Sequence, residues 1–297
     1  MPNLRLLCLF LLLLCYLPGC NTAPDTPEQP VTDHELLTET MDSAAEEKEA
    51  ATENIIPDSV ALQSYAVDTT GLTPEPAAKI KILLEGVFHK EEIWQGAEKK
   101  QWLGLFDMQG SYELRPTTLD VKPAFDPVAD ARTAAATGQK VISGREVTGH
   151  EPNVMLFITG LPGYKAATID TAAFAKNIIR PGEEIVLSFK NRQYHIQAFG
   201  DSMQVDSSAY AYSNYGWKVS GTRKGKRLEQ VLAQDEQLAG SVYVLHWAGD
   251  IDRDGIPDLI AELSAQPNRS RTALFLSSEA DRGKLYKKVA AFESSAR

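Results

Sequence analysis

Apolar residues fall into two patterns along this chain: one unbroken run close to the N-terminus, and many short runs beyond a long polar stretch. The short runs are Ile80 to His89, Tyr112 to Leu114, Val154 to Thr159, Glu184 to Phe189, Tyr194 to Phe199, Tyr210 to Tyr212, Trp217 to Ser220, Ser241 to Trp247, Leu259 to Leu263 and Ala273 to Leu276. Each is rich in β-branched and aromatic residues and is bounded by Gly, Pro, Asn or Asp, the signature of strands. Helical spacing is confined to Thr168 to Ile179, Leu228 to Leu238 and a turn near Glu279 to Lys284. The pattern predicts a β-rich α+β fold of antiparallel sheets with few short helices. The Ala- and Thr-rich stretch Ala131 to Gln139 and the loop Gly160 to Gly163 are its predicted internal breaks. They divide the folded part into β-rich halves over 76–165 and 166–297.

The N-terminal run has a different meaning. Arg5 precedes an apolar stretch from Leu6 to Tyr16, and Leu17-Pro18-Gly19-Cys20 follows. The stretch is too short to span a bilayer, and a small residue stands before the cysteine as a processing site requires. In Leu17, Gly19 and Cys20 the segment resembles a bacterial lipoprotein signal with its lipobox. The resemblance implies removal of residues 1–19, acylation of Cys20 by chains such as palmitate, and residence in the bacterial cell envelope, on the outer membrane, facing the periplasm or the outside. The alternative is an ordinary secretory signal. Cysteine usage fits the first reading, since Cys8, Cys15 and Cys20 are the only three and all lie in or at the end of this segment. A secreted chain without a cysteine pair has no disulfide framework and must rely on its core.

Charge separates tether from domain. Asn21 to Val60 carries eleven acids against Lys48 alone, a net charge of −10, whereas the remaining 237 residues carry 29 acids and 28 bases. With Pro24, Pro27, Pro30 and few aromatics, 20–75 reads as an acidic, disordered tether below the lipidated cysteine. A near-neutral domain holding one basic cluster, Arg223-Lys224-Gly225-Lys226-Arg227, gives no argument for nucleic acid. That cluster reads as a solvated hairpin turn with Gly225 at its tip, or as a contact for a polyanion such as lipid phosphate.

The densest chemistry lies in Asp250-Ile251-Asp252-Arg253-Asp254-Gly255-Ile256-Pro257-Asp258-Leu259. Counted from Asp250, carboxylates occupy positions one, three, five and nine. Glycine stands where the chain must turn, and the Ile256 carbonyl is available at position seven. This is an oxygen cage suited to calcium, with Asp250, Asp252, Asp254, Ile256 and Asp258 as predicted ligands; magnesium tolerates such irregular cages poorly. An EF-hand is excluded, because Ala261 stands at position twelve and β-rich segments flank the loop. Through Asp250, Asp252, Asp254, Gly255, Pro257, Asp258 and Leu259 the loop is similar to the calcium loops of the FG-GAP and VCBS families and of integrin alpha-subunit propellers. That similarity implies a loop joining two strands of a hairpin. A propeller needs at least four blades, and a single loop argues against one. The arrangement more closely resembles bacterial envelope lipoproteins in which one such loop precedes a segment like Leu274 to Ser278.

Weaker candidates remain. Phe199-Gly200-Asp201-Ser202-Met203 resembles the nucleophile block of GDSL hydrolases, but the one downstream histidine, His246, lacks the aspartate three residues earlier that such a base uses. Tyr210, Tyr212, Tyr215 and Trp217 form either a stacking platform for a glycan or cross-strand packing, with packing favoured. The histidines show no zinc spacing, and neither a P-loop nor a Rossmann fingerprint occurs. The expectation is therefore a membrane-anchored envelope lipoprotein with a non-catalytic, calcium-stabilised domain for binding a protein or glycan partner, or for assembly. An esterase using Ser202 and a glycan-binding module are the alternatives.

Overall fold

A computed structural model describes residues 66–67 and 73–295, apart from positions 208 and 240. All of these belong to one compact unit, Ala61–Arg297. The calls on Cys20, the signal and most of the tether lie outside the described residues.

In chain order the strands are β1 Ala66–Val67, β2 Lys81–Leu83, β3 Gly86–Phe88, β4 Trp102–Asp107, β5 Tyr112–Thr117, β6 Leu119–Ala124, β7 Val141–Ile142, β8 Gly144–Gly149 and β9 Val154–Thr159. There follow β10 Ala167–Ile169, β11 Glu184–Phe189, β12 Arg192–Gln204, β13 Tyr210–Arg223, β14 Lys226–Ala239, β15 Val244–Gly249, β16 Asp258–Glu262, β17 Arg269–Leu276 and β18 Lys287–Ser295. One α-helix, α1 Ala129–Thr137, occurs among the described residues. Strands β10-β5-β4-β9-β2 form the first large sheet, β11-β12-β13-β14 the second and β15-β16-β17-β18 the third, with β3-β8-β6 as a smaller fourth. Apart from the short parallel pair β1–β7, every strand pairing is antiparallel. Among the described residues no sheet closes into a barrel, and a propeller is not indicated.

The third sheet is the middle layer. Successive residues of its inner strands enter opposite cores: Leu259 and Ala261 pack with Leu187, Ile196 and Trp217 of the second sheet. Ile260 packs with Leu105, Leu156 and Trp102 of the first. In β17 the same alternation sends Ala273 and Phe275 one way, Leu274 and Leu276 the other. Burial on both faces explains why these strands read as uninterrupted apolar runs. It also means that the core around Leu105 draws on residues from both sides of position 165.

Neither of the two longer expected helices forms. Leu228 to Leu238 lies in β14 and pairs with β13 from Arg223↔Lys226 to Ala211↔Ala239. Its helix-like spacing has a local cause, since the register shifts between Trp217 and Lys218 and so breaks the two-residue alternation. Thr168 to Ile179 begins as β10 and continues as an irregular segment of isolated bridges and bends that stitches two sheets together. Ala172 N donates to Ala248 O at 2.9 Å, Ala173 N to Ser188 O at 3.0 Å, and Asn177 O accepts from Leu245 N at 2.8 Å. Conversely, the expected break at Ala131 to Gln139 is mostly α1. Alanine is the best helix former, Asp126 Oδ1 accepts from Val128 N and Ala129 N at the first turn, and Gly138 closes the helix at φ +71°. Ile80 to His89 is split between β2 and β3, with Gly86 at φ +142° at the break. Glu279 to Lys284 forms turns, with Lys284 N donating to Asp281 O at 3.0 Å.

Candidate metal centre

The acidic loop closes the β15–β16 hairpin at one end of the middle sheet, starting after the pair Gly249↔Asp258. Its ends are held by the sheet, and its apolar side chains hold the rest. Ile251 is buried in the core shared with the first sheet, and Ile256 in the core shared with the second. Asp250 N donates to Asp170 O at 2.9 Å, so the irregular segment after β10 fixes the loop's first residue. Arg253 and Gly255 take left-handed conformations at φ +62° and +85°. These turns curl the chain so that Gly255 N donates to Asp250 Oδ2 at 3.1 Å, Asp254 N to Asp252 Oδ1 at 3.2 Å and Ile256 N to Asp254 Oδ1 at 3.0 Å.

This curl gathers three carboxylates. One oxygen each from Asp250, Asp252 and Asp254 lies within 4.8 Å of the others, with Asp250 buried, Asp252 partly buried and Asp254 exposed. The group can hold a metal ion. It contains no imidazole or thiolate, and a carboxylate-only set is the chemistry of a hard, oxygen-seeking cation. Asp258 stands outside this trio and is fully buried. Its Oδ2 accepts from Ile251 N at 2.9 Å and its Oδ1 from Ser277 N at 2.8 Å, which ties the loop to the segment after β17. Ile256 contributes a buried side chain.

The electrostatics show crowding of negative charge. Burial, reinforced by the charges of Asp252, Asp254 and Asp250, pushes the Asp258 carboxyl well above its ordinary range. Burial also raises Asp252, against the opposing bond from Ser278 Oγ at 2.6 Å. Among the described residues one ammonium answers this charge: Lys190 Nζ, from the β11–β12 turn, lies 2.8 Å from Asp170 Oδ2 and 3.0 Å from Asp250 Oδ2. Three buried hydroxyls near the loop, Tyr194, Tyr286 and Ser277, have no hydrogen-bond partner among the described residues. The Arg192 guanidinium approaches Tyr194 without reaching that geometry. Tyr286 is raised well above its ordinary value by burial first and then by the charge of Asp258. Buried polar groups are seldom left unpaired, and hydroxyls beside a carboxylate cluster suit a hydrated cation.

The other candidates do not gather into a site. Ser202 is exposed near the C-terminal end of β12, opposite Tyr212, rather than on a strand-to-helix turn, and His246 is exposed on β15 in a different sheet. Tyr212, Tyr215 and Trp217 are buried in the second core, where Tyr215 and Trp217 both meet Tyr243 edge-on. Tyr215 Oη donates to Ile179 O at 2.7 Å and accepts from Trp217 Nε1 at 3.0 Å, so these aromatics hold the core and offer no stacking platform. The basic cluster is a two-residue hairpin, with Lys224 and Gly225 at φ +49° and +75° joining β13 to β14. Sequence reasoning missed Lys190, whose carboxylate partner Asp250 is 60 residues away, and the hydrogen bond between His89 Nδ1 and Asp126 Oδ2. Their only local signals were the Lys190-Asn191 turn between two strands and an acid ahead of an alanine run.

The fold and loop together define a layered antiparallel β protein with an acidic, metal-competent hairpin. No family model matches the chain, and no similar curated protein or solved structure was found.

Proposed function

We propose that the chain is a lipid-anchored protein of the bacterial cell envelope whose β-rich domain binds one calcium ion at Asp250, Asp252 and Asp254 and serves in binding or assembly, without catalysis. The observation that carries this reading is the convergence of the three carboxylates on a loop bolted to both cores. An ion there offsets the repulsion among carboxylates that the single ammonium of Lys190 only partly answers. The irregular loop and the all-oxygen donor set favour calcium over magnesium. The anchor rests on Leu17, Gly19 and Cys20 and the apolar run before them.

Thermal unfolding of the full chain tests the metal. The midpoint should rise with calcium, respond less to magnesium and fall with a chelator; Asp254→Ala should abolish the response, and an unchanged calcium shift in that variant refutes the ligand assignment. The anchor is tested separately. Cys20→Ser should release the chain from the membrane fraction and remove the added acyl mass.

A further inference from the structure

Beside the acidic loop lies a cleft of about 500 Å3, walled on one side by Asp254, Ile256 and Ser278 and on the other by Arg192, Arg223 and Lys224. Arg223 and Lys224 also line a second cavity of about 390 Å3, which adds Lys226, Arg282 and Leu228. The two cavities flank the β13–β14 hairpin tip and share a basic rim. Five bases meet two acids there, Asp254 of the metal loop and Asp281, and the latter already pairs with Lys284 at 3.6 Å. Arg223 is fixed in place by the carbonyls of Ala280 and Lys284, at 3.3 and 2.9 Å, and forms no ion pair among the described residues. Arg192, Lys224, Lys226 and Arg282 form no ion pair among the described residues, although the unit carries slightly more acids than bases.

Asp254 is the exposed member of the carboxylate trio and the one that borders this cleft. A cation held by the trio therefore borders the basic wall through Asp254, while Asp250 and Asp254 together line a separate opening with Lys190. A dianionic group placed between the cation and the basic wall meets a divalent ion on one side and guanidinium and ammonium donors on the other, the combination that recognises phosphate oxygens. We propose that this cleft binds a phosphate group carried by a ligand, with Arg192 and Lys224 holding its oxygens and the calcium ion completing the site. Leu228, in the adjoining cavity, gives the non-phosphate part of the ligand an apolar contact. This inference rests on the calcium reading for its metal half alone.

Calorimetry on the full chain in non-ionic detergent micelles separates the two halves, with glycerol phosphate as probe, in calcium and in chelator. Glycerol phosphate should bind the calcium-loaded chain, and at least about tenfold more weakly in chelator. The double variant Arg192→Gln, Lys224→Gln should lose at least about tenfold in phosphate affinity while retaining its calcium binding. A chain that binds calcium but gives no heat with phosphate overturns the cleft and leaves the metal reading intact. Phosphate binding that is equal in calcium and chelator overturns the metal-completed site, as does binding that the double variant leaves unchanged. Micelles doped with phosphatidic acid identify the source: tighter binding than to glycerol phosphate supports a lipid headgroup, and equal binding supports a soluble phosphorylated ligand.

Discussion

Asp252→Asn should move stability in opposite directions depending on whether metal is present. The substitution preserves shape and bonding, because asparagine can still accept from Asp254 N through its oxygen and can turn its amide towards Ser278 Oγ. It removes one of three charges whose oxygens lie within 4.8 Å of each other. At that separation a pair of unit charges repels by about 1 kcal/mol in water and about 3.5 kcal/mol at an effective dielectric of ~20. With Asp252 partly buried and Lys190 offsetting part of the field, the metal-free domain should gain about 1–3 kcal/mol at neutral pH. That corresponds to roughly 2–4 °C per kcal/mol for a unit of this size. In about 10 mM calcium, a site with a dissociation constant of about 0.1–1 mM stabilises the native domain by about 1.4–2.7 kcal/mol, and the variant should forfeit most of this. The pH dependence carries the same sign. A folded-state carboxyl raised above its ordinary value of 3.8 contributes stability that is complete below that value and is lost as pH climbs through the raised one. The chelated wild type should therefore lose stability towards neutral pH through Asp252 and Asp258, the variant less so, and calcium should bind more tightly as pH rises. Thermal and urea unfolding at several pH values, in calcium and in chelator, read all of this. A variant that melts lower in chelator refutes the repulsion, and one that keeps the full calcium shift refutes the ligand role.

Four further substitutions probe separate parts of the structure. Asp258→Ala strands two buried N–H groups, Ile251 and Ser277, and should cost about 2–4 kcal/mol in urea unfolding with or without calcium. Lys190→Met removes the competing ammonium and should tighten calcium binding about 3- to 10-fold by titration while lowering the metal-free midpoint; weaker binding would show that the lysine positions Asp250 instead. Tyr215→Phe leaves Ile179 O and Trp217 Nε1 without their partner and should cost about 1–3 kcal/mol with no change in the calcium shift. Gly216→Ala sets a methyl 2.5 Å from the Phe199 ring and 2.6 Å from Ala233 O, and should destabilise by about 1–3 kcal/mol in the same assay.

The middle sheet was the most legible part of the fold, and its position explains why. Strands β16 and β17 bury both faces, so Leu259 to Ala261 and Ala273 to Leu276 stay apolar at every residue. The long strands of the second sheet were harder to read because they run through residues that normally punctuate a chain. Gly216 lies under Phe199 and Gly221 under Tyr194, each glycine making room for a ring, so β13 looked like two fragments. Gly200, at φ +128°, has the β13 backbone against its α-carbon and marks the register shift between Phe199 and Asp201. The block around Ser202 thus owed its resemblance to a catalytic turn to a strand bulge. Helix α1 escaped notice for the opposite reason. Most of its residues are partly or fully exposed, and its buried Asp130 serves Asp126 N and Ser143 N rather than an apolar face.

At the metal loop the contiguous carboxylates were readable, and what they are attached to was not. Ile251 and Ile256 enter different cores, Asp258 clamps the segment after β17, Asp250 is tied to the segment after β10, and Lys190 reaches in from the second sheet. Both cores and three separate chain segments therefore have an attachment to this one loop. A loop attached at a single edge would let a cation slow only local fraying. Here the loop cannot open without withdrawing Ile251 and Ile256 from both cores, so the free energy of binding adds to the global unfolding barrier between layers. Calcium should accordingly slow amide exchange in β9 and β12, strands remote in sequence from the loop, by the same factor as in β16. Protection confined to residues 250–258 would contradict the coupling.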